Sequence, residues 1–174
     1  LLAGFVGRKY AVGVSSGTAG LHLCMRAMNL RPGDRVVTSP FSFVASANAI
    51  LFEQGVPVFV DIEPQTLNMD VECMRRALEE LRAAGTPARA LLAVQIFGQA
   101  CDMDPLLALA REYELEVIED ACESLGAEYK GRPVGTFGRA SVFAFYPNKQ
   151  MTTGEGGMLV TDDEGWDELF RSLR

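Results

Sequence analysis

The chain has 174 residues, 48% of them hydrophobic, enough for one α/β domain with its own core. A formal charge of −7 argues against nucleic acid or an anionic membrane as the main partner, and no apolar run reaches the length of a membrane span. Cys24, Cys73, Cys101 and Cys122 show no CxxC spacing and His22 is the only histidine, so a zinc site or a Cys–His nucleophile lacks its parts. No signal-peptide pattern opens the chain, and the cysteines read as reduced thiols of a cytoplasmic protein.

Tyr10–Ser15 reads as a strand, after which Ser16-Gly17-Thr18-Ala19 turns into a helix with Leu21, Cys24, Met25 and Met28 on its apolar face. Arg31-Pro32-Gly33-Asp34 ends that helix, and Arg35–Thr38 reads as the next strand. A helix is expected over residues 41–54, closed by Gly55, and a strand over residues 56–61. Val71, Met74, Leu78 and Leu81 share one helical face, and Ala84-Gly85-Thr86-Pro87 ends it. A buried strand over residues 90–96 follows, then a helix over residues 102–112 with Pro105 in its first turn, then a strand over residues 115–119. Strand-like runs at 140–145 and 158–161 flank a turn, and residues 164–174 are helical in pattern. Strands separated by helices predict a mostly parallel sheet with helices on both faces. There is no repeat, low-complexity tract or linker, so residues 1–174 form one domain. The chain begins in an apolar stretch and stops in a helical run, which reads as a fragment truncated at both ends.

Chemistry concentrates at three places. Lys149 sits in Phe145-Tyr146-Pro147-Asn148-Lys149-Gln150-Met151-Thr152-Thr153-Gly154-Glu155-Gly156-Gly157, a turn whose small residues let backbone approach a ligand. Glu119-Asp120 closes the apolar run Leu115–Ile118, at the sheet edge where α/β proteins hold ligands. Ser16-Gly17-Thr18 opens a helix whose first amides can bind phosphate. A lysine, a carboxylate and a phosphate cradle are the parts that a pyridoxal 5′-phosphate (PLP) enzyme needs. Each has a plainer reading alone: a solvated lysine, an aspartate cap, a Ser N-cap. If residues 119 and 120 are extended, Glu119 points away from Asp120 and is structural. His22 reads as a half-buried helix residue, and Glu155 as ordering its turn.

The collinear blocks Ser16-Gly17-Thr18-Ala19, Phe41–Asn48, Pro57–Ile62, Phe97-Gly98-Gln99, Glu119–Glu123 and Pro147–Gly157 resemble the DegT/StrS family of PLP-dependent sugar aminotransferases over nearly the whole chain. The resemblance implies the large domain of the type I PLP-dependent transferase fold, with a smaller C-terminal domain beyond residue 174. It also implies a homodimer, and transfer of an amino group from glutamate to a nucleotide-linked keto sugar. Lys149 matches the family's Schiff-base lysine and Asp120 its partner for the pyridine nitrogen. Gly17, Thr18 and Ala19 match the phosphate site, Phe43 the ring stacked on the cofactor, and Glu123 the position beside its phenolic oxygen. Two positions depart from the common pattern: Glu123 stands where the family often has Gln, and Ala144 where it often has a phosphate-binding Ser. Three rival readings remain. One is an aminotransferase acting on a keto cyclitol or antibiotic precursor, and another a PLP-fold regulator without catalysis. The third is a PLP-dependent sugar dehydratase, against which Lys149 counts because resembling dehydratases carry histidine there.

Overall fold

Strand and helix alternate along the chain as their periodicities predict, and the computed structural model describes residues 1–174. The elements are α1 (Leu2–Val6), β1 (Tyr10–Val14), α2 (Gly17–Ala27), β2 (Arg35–Thr38), α3 (Ala45–Phe52), β3 (Val56–Phe59), α4 (Val71–Ala83) and β4 (Ala88–Val94). Then come α5 (Met103–Glu112), β5 (Glu116–Asp120), β6 (Glu128–Tyr129), β7 (Arg132–Pro133), β8 (Ala140–Ala144), β9 (Gly157–Thr161) and α6 (Glu164–Leu173). Seven strands make one sheet in the order β1-β9-β8-β5-β4-β2-β3, while β6 and β7 form a separate hairpin.

From β3 to β8 every pairing is parallel, because each strand returns through a helix or long crossover. β9 runs antiparallel to both β8 and β1. The segment joining β8 to β9 carries no helix, so the chain doubles back instead of crossing over, and Lys149 lies on that return.

Alternation along the strands builds a core on each face. Val36, Leu92, Ile118 and Val142 pack with α2, α3 and α6 through Leu21, Met25, Ile50, Trp166 and Phe170. Their neighbours Val37, Leu91, Ala93 and Val117 face the other way, against Met74 and Leu78 of α4 and Met103, Leu106 and Leu109 of α5. α1 covers a smaller cluster through Val6, Phe143 and Val160. The sheet is thus layered between helices, as expected of an α/β domain.

The helix expected from residue 41 begins only at Ala45. Ser39 Oγ accepts from the Phe41 amide at 3.1 Å and the Pro40 carbonyl from the Ser42 amide at 3.1 Å, closing tight turns that hold residues 41–44 outside the helix. The strand expected over residues 90–96 runs instead from Ala88 to Val94, and the backbone then tightens into a single 3₁₀ turn, Ile96–Gly98. The hairpin was not anticipated; its two-residue turn has Lys130 at φ 51° and Gly131 at φ 77°, the left-handed pair that suits the twist of adjoining strands.

One buried carboxylate organises the centre. Glu119, with no solvent exposure, accepts through Oε1 from the amides of Phe137 (2.7 Å) and Gly138 (2.9 Å) and the Ser141 hydroxyl (2.9 Å). Its Oε2 accepts from the Gly135 amide (2.9 Å) and the Gln95 side chain (3.2 Å). Arg8 donates to the carbonyls of Gly135 and Gly138, so the loop before β8 is held by an anion at its N–H groups and a cation at its carbonyls. Glu119→Ala would leave several buried donors unpaired, and a stability loss on the order of 3–5 kcal/mol is expected. Urea unfolding followed by circular dichroism would measure it; an unchanged midpoint would show that the loop holds without the carboxylate.

Candidate active site

The loops after β1, β4, β5 and β8 converge at the C-terminal ends of their strands around a cavity of about 530 Å3. Its wall includes the last residues of three adjacent parallel strands, Val94, Asp120 and Ala144, the position at which open α/β sheets bind ligands. Gly17, Thr18, Phe43, Asp120, Glu123 and Lys149, six of the seven positions singled out in the sequence, line this one cavity. Residues separated by up to 132 positions, 17 to 149, therefore meet at one place.

At one end α2 begins. Ser16 caps it, its Oγ accepting from the Ala19 amide at 3.1 Å. The helix supplies no acceptor for the amides of Gly17 and Thr18, which remain the donors of its positive end. The Ala19 amide is engaged by that cap, and Ala19 is not among the residues lining the cavity. Gly17 is required by contact, since a Cβ there would lie 2.8 Å from both Ala144 Cβ and Cys122 Sγ. Ala144 and Gly17 pack together, so Ala144 contributes smallness where the family often has a serine hydroxyl.

Asp120 is 6% exposed and lies on the opposite side of its strand from Glu119, as strand alternation requires. Its Oδ2 accepts from the Ser46 hydroxyl at 2.6 Å, and Ser46 Oγ lies 2.6 Å from Ser42 Oγ. Oδ1 accepts from the Cys122 amide at 3.2 Å. Sequence reasoning assigns Ser42 and Ser46 no role; two hydroxyls four residues apart, one before α3 and one in its first turn, are the available signal. Burial first, and then the Asp120 carboxylate, push the Cys122 thiol well above its usual range.

Lys149 lies in a well-tied turn. The Phe145 carbonyl accepts from the Thr153 amide and the Thr152 hydroxyl, each at 3.0 Å, and the Lys149 amide donates to the Tyr146 carbonyl at 3.0 Å. Its side chain is only 12% exposed, and Nζ donates to Glu123 Oε1 at 2.8 Å. Glu123 Oε2 accepts from the Phe97 amide at 3.2 Å. Phe97 adopts φ 52°, ψ 29°, a left-handed conformation that costs a non-glycine residue roughly 1 kcal/mol.

Phe43 is 70% exposed and borders the cavity, so it is not core packing. Phe41 stacks edge-on against Phe97 with centroids 5.8 Å apart. Glu155 also lines the cavity, while its carbonyl accepts from Thr153 Oγ1 at 2.7 Å and its carboxylate from the Gly156 amide, which orders the turn. His22 lies outside the cavity, half-buried on α2 with Nε2 2.7 Å from Glu53 Oε1.

The chain as a whole is similar to known proteins. The model of the DegT/DnrJ/EryC1/StrS aminotransferase family matches residues 1–174, and the chain belongs to that family. It is 49% identical over 172 residues to EpsN of Bacillus subtilis, a proposed pyridoxal phosphate-dependent aminotransferase, covering 99% of this chain and 44% of EpsN. It is 42% identical over 173 residues to the GDP-perosamine synthase of Caulobacter vibrioides, covering 99% of this chain and 45% of that protein. A DegT DnrJ EryC1 StrS aminotransferase from Brucella abortus, known from its crystal structure, superposes with a TM-score of 0.95 at 30% identity, covering 99% of this chain and 47% of that one. The chain thus spans less than half the length of these relatives.

The family's cofactor is PLP, and the cavity suits it. Gly17 and Thr18 at the start of α2 line one part of the cavity, where the first amides of a helix suit a phosphate. A buried carboxylate faces the same space as a mostly buried primary amine, the complement of a pyridine nitrogen and an aldehyde.

Proposed function

We propose that this chain is the PLP-binding large domain of an aminotransferase that carries an amino group from glutamate to a nucleotide-linked keto sugar. The observation that carries the reading is the convergence of the Lys149 amine and the Asp120 carboxylate on one cavity capped by the start of α2. Bound PLP supplies an electron sink for the carbon that loses its proton. Lys149 is the group that links to the cofactor and, when released, moves that proton. Asp120 keeps the ring nitrogen protonated, with the Ser46 hydroxyl fixing its carboxylate. Gly17 and Thr18 hold the phosphate and Phe43 covers the ring.

The likeness to a GDP-perosamine synthase supports a nucleotide sugar as acceptor. Glutamate as donor and a cytoplasmic location follow the same family reading; the structure adds that no helix is long and apolar enough to cross a membrane. The cavity wall brings three carboxylates, Asp120, Glu123 and Glu155, against a single ammonium. A nucleotide's phosphates need further cations beside such a wall, which supports a homodimer and a second domain completing the site in the whole protein.

The test incubates full-length protein with PLP, glutamate and a panel of nucleotide-linked keto sugars, and follows amino-sugar formation by mass spectrometry. Amino-sugar product with 2-oxoglutarate released in equal amount is expected, and no product across the panel would overturn the reading. Residues 1–174 alone, run in parallel, are expected to be slower by about two orders of magnitude or more, a loss on the scale of misplaced substrate groups. Equal rates would show that this segment assembles and captures substrate unaided.

A further inference from the structure

Glu123 makes contacts that a mere replacement for glutamine does not require. One oxygen receives the Lys149 ammonium at 2.8 Å and the other the Phe97 amide at 3.2 Å, so the protein itself engages both. Its backbone carbonyl also accepts from the Gln150 side chain, the residue after the lysine. The strand-end turn carrying Glu123 and the turn carrying Lys149 are therefore latched twice, once by charge and once by a neutral amide. Phe97 reaches its position only through a left-handed backbone, and Gly98 follows at φ 82°.

We propose that Glu123 is a positioning residue that holds the Lys149 amine, as an ammonium ion, in a fixed resting place beside the cofactor's site whenever the lysine is not linked to it. In each catalytic cycle the lysine is freed and must then be near, correctly oriented and unable to wander into solvent. The part-buried pair, with side chains 12% and 27% exposed, meets those needs. A lysine reacts with a carbonyl or an acyl donor only as the neutral amine, so the same contact slows Lys149 while it rests. The inference takes its meaning from the role proposed for Lys149, but its test does not depend on that role.

The test uses full-length protein freed of PLP and treated briefly with acetic anhydride near neutral pH. Mass spectrometry reads acetylation of Lys149 relative to exposed Lys9. Glu123→Gln keeps the size of the side chain and an acceptor for Phe97 but removes the charge. The Lys149-to-Lys9 ratio is expected to rise about tenfold, the scale of one charge-assisted hydrogen bond. Glu123→Asp, which withdraws the carboxylate by one methylene, should raise the ratio too and serves if the glutamine variant folds poorly. Gln150→Ala breaks only the neutral latch and should leave the ratio nearly unchanged. An unaltered ratio in both Glu123 variants, or an equal rise in Gln150→Ala, would overturn the proposal, the latter by showing that a loosened turn accounts for the effect. Because no PLP is present, this outcome is separate from whether Lys149 binds the cofactor.

Discussion

Lys149→Ala is expected to reduce amino transfer by about four orders of magnitude or more, the scale of loss when the residue that performs the chemistry is removed. The lysine is the one cation on the cavity wall, held 12% exposed by a turn whose hydrogen bonds do not involve its side chain. Truncation removes the amine and its ion pair with Glu123, while the turn's own hydrogen bonds and the Gln150 contact to the Glu123 carbonyl remain to hold it. Full-length protein incubated with PLP should show an absorbance band above roughly 400 nm. Borohydride followed by peptide mapping should place the label on Lys149. This segment has two other lysines, Lys9 and Lys130, both exposed. A label on either, or a variant that keeps normal turnover, would remove Lys149 from the role proposed.

The second large effect belongs to Asp120→Asn. The change is isosteric, and the Ser46 and Ser42 hydroxyls can rotate to suit an amide, so the fold should survive. A neutral amide does not hold a ring nitrogen protonated, and transamination should fall by about two to four orders of magnitude, with weaker PLP binding. Ser46→Ala is the control: it removes one donor from the carboxylate but keeps the charge, and a loss of about tenfold is expected. Stopped-flow measurement of the half-reaction with glutamate separates the two variants. Near-normal turnover in the asparagine variant would leave Asp120 only its local hydrogen bonds.

The two substitutions act through different physics, a missing nucleophile against a missing charge. Their double mutant should therefore be little worse than Lys149→Ala alone, because residues that serve one reaction as a unit do not add.

The sequence by itself determined the alternation of strand and helix, because apolar periodicity reports which face of an element meets a core. Val36 and Val37 go to opposite layers for that reason, as do Glu119 and Asp120. It also marked Lys149, Asp120, Gly17 and Thr18, since a small-residue turn, a carboxylate ending an apolar strand and a Ser-Gly-Thr helix start are local patterns. Only the tertiary structure decided which distant groups touch. Ser46 reaches Asp120 across 74 positions and Lys149 reaches Glu123 across 26, pairings set by the order in which strands join the sheet, which periodicity does not encode. The fate of the Ala19 amide depended on the rotamer of Ser16, and the late start of α3 on the turns after Ser39, both outcomes of hydrogen-bond competition within a few residues. The left-handed Phe97 was beyond sequence as well, for no local preference favours a phenylalanine there. Its amide is received by the Glu123 carboxylate 26 positions along the chain, a contact that no local pattern reports.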